Sequence, residues 1–282
     1  MHLVRLAQGD VELLLAPDVG GSIAAFRWRN HDMLRPAVQD ADVLGMASFP
    51  LVPFSNRIAF GRFVADGQMV ALPPNLPRVD QLHAIHGFGW LAAWDVTEQK
   101  PAAARLVHRH TAAAWPWDYT AEQYFALDQS GFTQRLILRN DGRRPMPAGL
   151  GCHPYFARGG ATLELGVAGR WDSDAHLLPS HWQALTTQPD WLGSAAMDDV
   201  FTGRSGPIAI QWPGRRLLIT PSDDLSFTVV YAPPGADYFC VEPVSHMTDA
   251  VNRAEAPEVT GLRWLAPGET WEAHVHFAVT AA

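Results

Sequence analysis

The feature of this sequence that most constrains its fold is a long succession of short apolar–polar alternations, with almost no helical periodicity. Alternation with a period of two is typical of strands that bury one face. Gly, Pro, Asp and Asn interrupt these runs at intervals that suit tight turns. About fifteen strands are predicted, over residues 11–15, 22–28, 62–72 (a hairpin), 90–99, 103–111, 119–127, 132–139, 146–156, 161–167, 208–212, 216–220, 226–231, 238–241, 261–265 and 270–279.

The hairpin at 62–72 carries the strongest turn signal. Asp66-Gly67 lies between two alternating runs, and a two-residue type I′ turn requires positive φ at both central positions. So many antiparallel hairpins in one chain predict an all-β fold of large stacked sheets. Neither a repeat nor a linker-like composition shift divides the sequence, so residues 1–282 are expected to form a single domain.

Charge and composition exclude several classes of protein. The formal net charge is −8 and the isoelectric point is near 5.8, which disfavours nucleic acid and anionic membranes as partners. No apolar run is long enough to span a bilayer, and residues 1–20 lack a signal-peptide layout. Two cysteines are too few for a disulfide framework, and a reduced cytoplasmic setting is the simplest expectation. The sequence does not decide whether the protein is a monomer or a homodimer.

The hexapeptide Gly151-Cys152-His153-Pro154-Tyr155-Phe156 contains the first candidate catalytic residue. A proline pushes the preceding residue into extended backbone, so His153 is expected to be a stiff, strand-like residue. An imidazole held in this way suits proton transfer near neutral pH. A core histidine with a satisfied hydrogen bond is the alternative.

A second ionisable residue is followed by proline in the same way. Glu242 stands in the apolar run Phe239-Cys240-Val241-Glu242-Pro243. A buried carboxylate costs free energy unless it is paired or functional, and desolvation raises its pKa toward the range of a general base. The alternative is a Glu that caps a sheet edge.

Three further segments carry polar groups that could bind a ligand. Asn56-Arg57 offers amide and guanidinium donors, although a turn Asn with a solvated Arg would give the same pattern. His86-Gly87 follows His83, but nothing nearby completes a metal-ligand set, so no metal is expected. Asp198 belongs to an acidic pair that suits either a turn or hydroxyl recognition.

Taken in order, these segments resemble the aldose 1-epimerase (galactose mutarotase) family. The shared features are Asn56-Arg57-Ile58 with Gly61 and Phe63, His86-Gly87, His153-Pro154-Tyr155-Phe156, Asp198 ahead of Phe201, and Glu242-Pro243. The resemblance covers nearly the whole chain. It implies a β-supersandwich fold, no metal, no organic cofactor and a small-molecule sugar as the partner.

The resemblance also implies a role for each residue in an aldose 1-epimerase, which interconverts α and β anomers. His153 would protonate the ring oxygen, and Glu242 would take the proton of the anomeric hydroxyl from across a sugar-sized gap. Both would need pKa values near the working pH. The substrate-binding residues would be Asn56, Arg57, His86, Tyr155 and Asp198.

The sequence departs from the family pattern at two places. Phe88-Gly89 follows His86-Gly87 directly, where many members have a second Gly and an insertion, and Ala157 follows the His-Pro-Tyr-Phe motif in place of a frequent Asn. These differences leave the sugar open. A phosphorylated hexose would need extra cations, for which Arg57, Arg62 and Arg158 are candidates.

A non-catalytic sugar-binding or sensing module on the same fold is the other alternative. Such a module could lose His153 or Glu242, and the chain keeps both. Cys152 and Cys240 are predicted to remain unbonded, with Cys240 on the same strand face as Glu242. The polar residues 245–252 could line the rim of a pocket. The 11 Trp residues could fill a wide β core or offer flat faces to a sugar.

Overall fold

Strands dominate the computed structural model, which describes residues 1–38 and 41–281. Its strands are β1 Val4–Gln8, β2 Val11–Ala16, β3 Ser22–Trp28, β4 His31–Asp32, β5 Pro50–Leu51, β6 Arg57–Ile58, β7 Arg62–Ala65, β8 Gln68–Ala71, β9 Ala84–Ile85, β10 Asp95–Lys100, β11 Ala103–His110, β12 Tyr119–Leu127, β13 Gly131–Asn140, β14 Met146–Ala148, β15 Gly151–Cys152, β16 Tyr155–Ala157, β17 Thr162–Glu164, β18 Gly169–Ser173, β19 Pro179–Ala184, β20 Met197–Thr202, β21 Ile208–Trp212, β22 Arg215–Pro221, β23 Phe227–Ala232, β24 Tyr238–Val244, β25 Arg263–Leu265 and β26 Thr270–Thr280. Short 3₁₀ turns cover Val43–Gly45, Ala59–Gly61, Gly89–Leu91 and Ala250–Asn252, and the single α-helical turn of the described residues, α1, covers Pro257–Thr260. None of these helices is long and apolar enough to cross a membrane.

Two large antiparallel sheets organise the chain. The first has the strand order β10-β11-β12-β13-β26-β22-β21-β17. The second has the order β19-β18-β20-β23-β24-β15-β5, and β16 also pairs with β24. A four-stranded sheet β1-β2-β3-β4 and the pairs β14-β25, β6-β9 and β7-β8 complete the architecture. The prediction of an all-β fold of large antiparallel sheets is therefore confirmed.

The main core lies on one face of each large sheet. Phe132 and Phe277 stack with ring centroids 4.7 Å apart, and both rings are fully buried. On β24 the odd-numbered Phe239 and Val241 join this core. Each such buried side chain contributes about 1.5–3 kcal/mol relative to an exposed one.

The opposite face of the second large sheet is lined differently. The even-numbered residues of β24, Cys240, Glu242 and Val244, point to this face because neighbouring side chains of a strand alternate. Cys240 thus shares a face with Glu242, as predicted. Both cysteines are buried and unbonded, which confirms that prediction.

Several predicted strands match the structure closely, including β3, β12 and β21. Asp66 and Gly67 have φ values of 50° and 72°, so the hairpin turn is of the predicted kind. Strand β1 and the strands between 169 and 202 were not predicted. The run 90–99 begins instead with a 3₁₀ turn, and its strand starts at Asp95.

The prediction of one continuous strand over 146–156 is wrong. The segment divides into three short strands. Strand β14 pairs with β25, β15 pairs with both β24 and β5, and β16 pairs with β24. The backbone leaves the ladder at Gly149-Leu150 and again at His153-Pro154, where proline has no N–H to donate. His153 is consequently a linking residue between two short strands.

Candidate active site

The side chain of His153 is held by aromatic packing on the cleft face of the second large sheet. Its backbone N–H donates to the carbonyl oxygen of Phe49 at 3.0 Å. The imidazole stacks on the rings of Phe49 and Tyr155, with centroid distances of 4.5 and 4.7 Å. The expected stiffness thus comes from these contacts, because the residue lies outside the strand ladder.

Glu242 lies directly against this histidine. Its Oε1 is 3.2 Å from Nε2 of His153, and the two side chains are only 2% and 8% exposed. The expected sugar-sized gap between them is therefore absent. Oε2 of Glu242 and Nδ1 of His153 are buried without a hydrogen-bond partner among the described residues. Unpaired buried polar atoms are rare in folded proteins, and here two of them occur in one contacting pair.

Burial shifts the pKa values of this pair in opposite directions. Desolvation raises the pKa of Glu242 well above its ordinary value, the negative charge of Asp198 adds to the rise, and Arg57 opposes it. Desolvation, with a smaller contribution from the charge of Arg35, lowers the pKa of His153 to about 3, and a backbone hydrogen bond only partly opposes this fall. The rise at Glu242 agrees with expectation, whereas the expectation of a near-neutral pKa for His153 is wrong. Both shifts favour a neutral pair that shares one proton.

A row of polar side chains crosses the second large sheet beside this pair. The strand register places Tyr155 opposite Cys240, Cys240 opposite Tyr231, and Tyr231 opposite Asp198. Three strand spacings separate Tyr155 from Asp198, which is roughly 14 Å. The row defines the long axis of a shallow site with a carboxylate at one end.

Asn56 and His86 form a reciprocal pair at the wall of the site. Both have left-handed backbone, with φ values of 56° and 60°. The N–H of His86 donates to the carbonyl of Asn56 at 2.9 Å, and the N–H of Asn56 donates to Nδ1 of His86 at 3.1 Å. Left-handed backbone in two non-glycine residues costs free energy, and such strain is concentrated at functional sites.

The same hydrogen bond defines the tautomer of His86. Because Nδ1 accepts from a backbone N–H, the ring proton resides on Nε2. Burial and the nearby His153 and Arg57 hold the pKa of His86 well below its ordinary value, so this imidazole is a neutral donor. Gly87 follows with φ of 76°, and a Cβ there would lie 2.1 Å from the carbonyl oxygen of Val52, so only glycine fits this turn.

Arg57 is oriented by three side chains. Its Nε donates to Asp80 at 3.0 Å, and its Nη1 donates to Oδ1 of Asn56 at 3.1 Å and lies 3.5 Å from Asp198. Asp80 is itself fixed by the backbone N–H groups of Leu82 and His83. Burial raises the pKa of Asp198, and the charge of Arg57 opposes that rise. Nδ2 of Asn56 makes no hydrogen bond to Arg57, Asp80 or Asp198, so it is available to a ligand.

These side chains surround one cleft of about 410 Å³. All seven residues predicted to form the site line it: Asn56, Arg57, His86, His153, Tyr155, Asp198 and Glu242. The structure thus places them together around one cleft. A cleft of this size, partly apolar and with a few convergent polar groups, suits a small-molecule ligand.

Sequence reasoning missed other residues of the cleft, among them Arg35, Trp90, Tyr231 and Tyr238. Arg35 lies over the rings of Tyr155 and Tyr238, at 4.1 and 4.8 Å from their centroids. Burial raises the pKa of Tyr231 to about 12, so its phenol stays protonated. Tyr231 and Tyr238 lie on the predicted strands 226–231 and 238–241, but nothing in either run marks these tyrosines as lining a cleft.

The expectation that residues 245–252 line the rim of the pocket is wrong. Residues 245–252 do not line the cleft and instead hold the loop that carries Arg57. His246 Nε2 accepts from the N–H of Ser55, and the N–H of Asp249 donates to the carbonyl of Arg57. Within residues 1–38 and 41–281, no group of three or more His, Cys, Asp or Glu side chains is arranged to hold a metal ion.

Comparison with known proteins gives a consistent result. The family model described as Aldose 1-epimerase matches residues 2–278. An uncharacterised Escherichia coli K12 protein, YphB, is 31% identical over an alignment of 287 positions that covers 96% of each chain. A crystal structure from the same bacterium, with the provisional name aldose 1-epimerase, has a TM-score of 0.91 and 28% identity, covering 100% of this chain and 99% of that one. A galactose mutarotase-like protein of Clostridium acetobutylicum shares the fold, with a TM-score of 0.87 and 20% identity over 99% and 95% of the two chains.

Proposed function

Because the chain belongs to the aldose 1-epimerase family, we propose that it interconverts the α and β anomers of a free aldose, with His153 and Glu242 as the catalytic pair. The observation that carries this proposal is the 3.2 Å contact between His153 Nε2 and Glu242 Oε1 at the floor of the cleft. Proton transfer to and from a hemiacetal requires a donor and an acceptor close to one carbon atom, since both oxygens are bonded to C1.

The first half of the reaction opens the ring. Glu242 takes the proton of the O1 hydroxyl, and the electrons of that O–H bond form the C1=O1 double bond. The C1–O5 bond breaks, its electron pair goes to O5, and His153 Nε2–H supplies the proton there. Rotation about C1–C2 then presents the other face of the aldehyde, and the reverse transfers close the ring as the other anomer.

The proton shared by the pair is sufficient for this cycle. The pKa shifts favour imidazole and carboxylic acid, so the required imidazolium–carboxylate form arises when one proton moves across the 3.2 Å contact from Glu242 Oε1 to His153 Nε2. No proton from solvent is consumed. Ring opening delivers a proton from His153 to O5 and takes one from O1 to Glu242. Ring closure reverses both transfers and restores the starting pair, so the pair can turn over repeatedly.

The remaining side chains would orient the sugar. His86 donates from Nε2, Asn56 from Nδ2, and Arg57 and Asp198 form a paired donor and acceptor at one end of the cleft. Tyr155 supports the His153 ring by stacking. These groups bind hydroxyls by geometry rather than by net charge, since Arg57 is compensated by Asp80 and Asp198.

A phosphorylated hexose as the substrate is supported less well. Of the three arginines considered from sequence, Arg57 is already paired with carboxylates. The Nη atoms of Arg158 donate to the carbonyls of Leu192, Gly193 and Pro233. Arg62 is exposed and does not line the cleft. Arg35 does line it and is the cation to examine for an acidic sugar.

The experiment is polarimetry or NMR on freshly dissolved α-D-glucose, α-D-galactose, other aldoses and glucose 6-phosphate. We expect the protein to accelerate anomer equilibration for at least one neutral aldose. Folded protein that accelerates none of them above the buffer rate would refute the proposal. Acceleration confined to glucose 6-phosphate would assign the phosphorylated substrate instead.

A further inference from the structure

A second cleft, distinct from the candidate active site, lies toward the β19 edge of the second large sheet. Its volume is about 460 Å³. Its lining residues are Trp171, Trp182, Thr202, Gly203, Ser226, Phe227, Glu258 and Val259. None of these residues takes part in the proposed anomer interconversion, so this cleft requires a separate explanation.

Trp182 forms a fixed and exposed aromatic surface in this cleft. Its side chain is oriented by the indole Nε1–H, which donates to Oγ1 of Thr202 at 3.0 Å. A Cβ at Gly169 would lie 2.3 Å from the Trp182 ring, so the indole rests directly on the backbone of that glycine. The residue is nevertheless 46% exposed. A large apolar ring is therefore held rigidly with much of its surface open to solvent.

Trp171 packs beside this surface at the base of the cleft. It is the direct cross-strand partner of Trp182 in the β18–β19 pair. The residue is only 6% exposed, and its Nε1–H has no acceptor within the part of the chain that the structure describes. Because this N–H is itself buried, Trp171 contributes its ring to the cleft and makes no hydrogen bond there.

The rim of the cleft is polar and offers hydrogen bonds of both kinds. Ser226 provides a hydroxyl and Glu258 a carboxylate, and both residues are exposed. Arg253, which lies 5.0 Å over the Trp171 ring, is occupied by Glu255 at 2.6 Å. The cleft thus combines a flat aromatic surface with a hydroxyl and a carboxylate, without an uncompensated cation among its described lining residues.

We propose that this second cleft binds a neutral saccharide of one or two pyranose units, with a sugar ring stacked on Trp182. The C–H face of a pyranose is flat and apolar and matches an exposed indole, while its edge hydroxyls match Ser226 and Glu258. An anionic ligand such as a nucleotide is disfavoured by Glu258. The cavity volume is in the range that small ligands occupy.

A protein partner at this position fits the observations less well. A stable protein interface needs about 800 Å² per partner, far more than eight lining residues of one small cleft provide. Strand β19 is an edge, but it begins with Pro179 and its pairing with β18 is interrupted by a bulge at Asp172/Ser173. Proline and bulges are features that prevent edge strands from adding another strand.

The second cleft and the candidate active site share one face of one sheet. The register runs from Trp171 to Val200, Val229 and Glu242 on successive strands, which separates Trp171 from Glu242 by roughly 14 Å. The two clefts can therefore be tested independently. The second cleft could hold a saccharide whether or not the first one interconverts anomers.

The test is saccharide binding by the full chain, measured by saturation-transfer NMR and titration calorimetry. The probes are methyl β-D-glucopyranoside, methyl β-D-galactopyranoside, cellobiose and maltose. The Asp198→Ala background weakens binding in the first cleft. In that background, Trp182→Ala is expected to weaken saccharide binding at least tenfold. The matched control is Trp264→Ala, which removes another exposed tryptophan (38%) on β25 and should bind as the background does.

A second substitution tests the proposal at a position where the change leaves the fold intact. Glu258→Ala alters an exposed rim residue and is expected to weaken binding at least threefold, with an unchanged circular dichroism spectrum. In the wild-type background, Trp182→Ala should leave the anomerisation rate within twofold. Equal binding by the Trp182→Ala and Trp264→Ala proteins would overturn the proposal. Trp182-dependent binding of choline without any saccharide, or Trp182-dependent dimerisation in sedimentation, would overturn it as well.

Discussion

Replacement of Glu242 by Gln separates what this residue does for catalysis from what it costs in stability. Gln keeps the size and one hydrogen-bonding oxygen of the side chain but cannot accept the O1 proton. We expect the anomerisation rate to fall by roughly 10²–10⁴-fold, the usual contribution of a positioned general base. That loss corresponds to about 3–5 kcal/mol of transition-state stabilisation.

The same substitution should stabilise the protein, increasingly so at higher pH. Glu242 titrates near 4.5 in the unfolded chain, whereas burial raises its pKa well above that value in the folded protein. Between these two pKa values the folded state holds a proton that the unfolded state has lost. The contribution of Glu242 to the free energy of unfolding therefore falls as pH rises through this window, by up to about 1.4 kcal/mol per pH unit. Gln has no such proton and removes this term.

The assay is urea unfolding of the wild-type and Glu242→Gln proteins at several values between pH 4.5 and 8, beside polarimetry on the sugar that the wild type uses. Glu164→Gln is the matched control, because Glu164 is 62% exposed and lies on the first large sheet. The difference in stability between wild type and Glu242→Gln should grow with pH, and that for the control should not. Near-wild-type activity of Glu242→Gln would refute the catalytic assignment. A stability difference that shrinks with rising pH would refute the burial argument.

Three further substitutions test neighbouring parts of the site. His153→Ala should lower the rate by about two or more orders of magnitude while sugar binding, followed by NMR, persists; an unchanged rate would exclude it as the acid. Asp80→Asn should raise KM severalfold more than it lowers kcat, because the 3.0 Å ion pair with Asp80 orients Arg57. Equal KM values for the variant and the wild type would show that Arg57 needs no such support. Gly87→Ala should destabilise the protein by about 1–3 kcal/mol in thermal unfolding. The added Cβ would lie 2.1 Å from the carbonyl oxygen of Val52, and the backbone φ of 76° is strained for alanine. A wild-type melting temperature would contradict this.

Family and fold were predictable from sequence because their signals are local. Alternation and turn chemistry gave the all-β architecture, and the Asp66-Gly67 hairpin has the predicted turn. The segments around Asn56, His153 and Glu242 carried the family resemblance, which the match over residues 2–278 bears out. The prolines after His153 and Glu242 marked both residues as unusual within apolar runs.

Strand boundaries were predictable only where an apolar run pairs with the same neighbouring strand along its whole length. The segment 146–156 is apolar throughout, yet it divides among three pairings because β25, β24 and β5 each offer an edge to a part of it. Such competition depends on residues about a hundred positions away. A single run of sequence contains no information about which distant edge is free.

The amino-acid sequence by itself determined that this chain would form stacked antiparallel sheets and which side chains were worth suspecting. Only the tertiary structure decided their relations: the 3.2 Å contact of His153 with Glu242, the opposite pKa shifts that follow from burial, and the support of Arg57 by Asp80. Distances and desolvation depend on long-range packing, because they arise when residues from separate strands share one face. The cross-strand pairing of Trp171 with Trp182 and the cleft beside it belong to the same class of information.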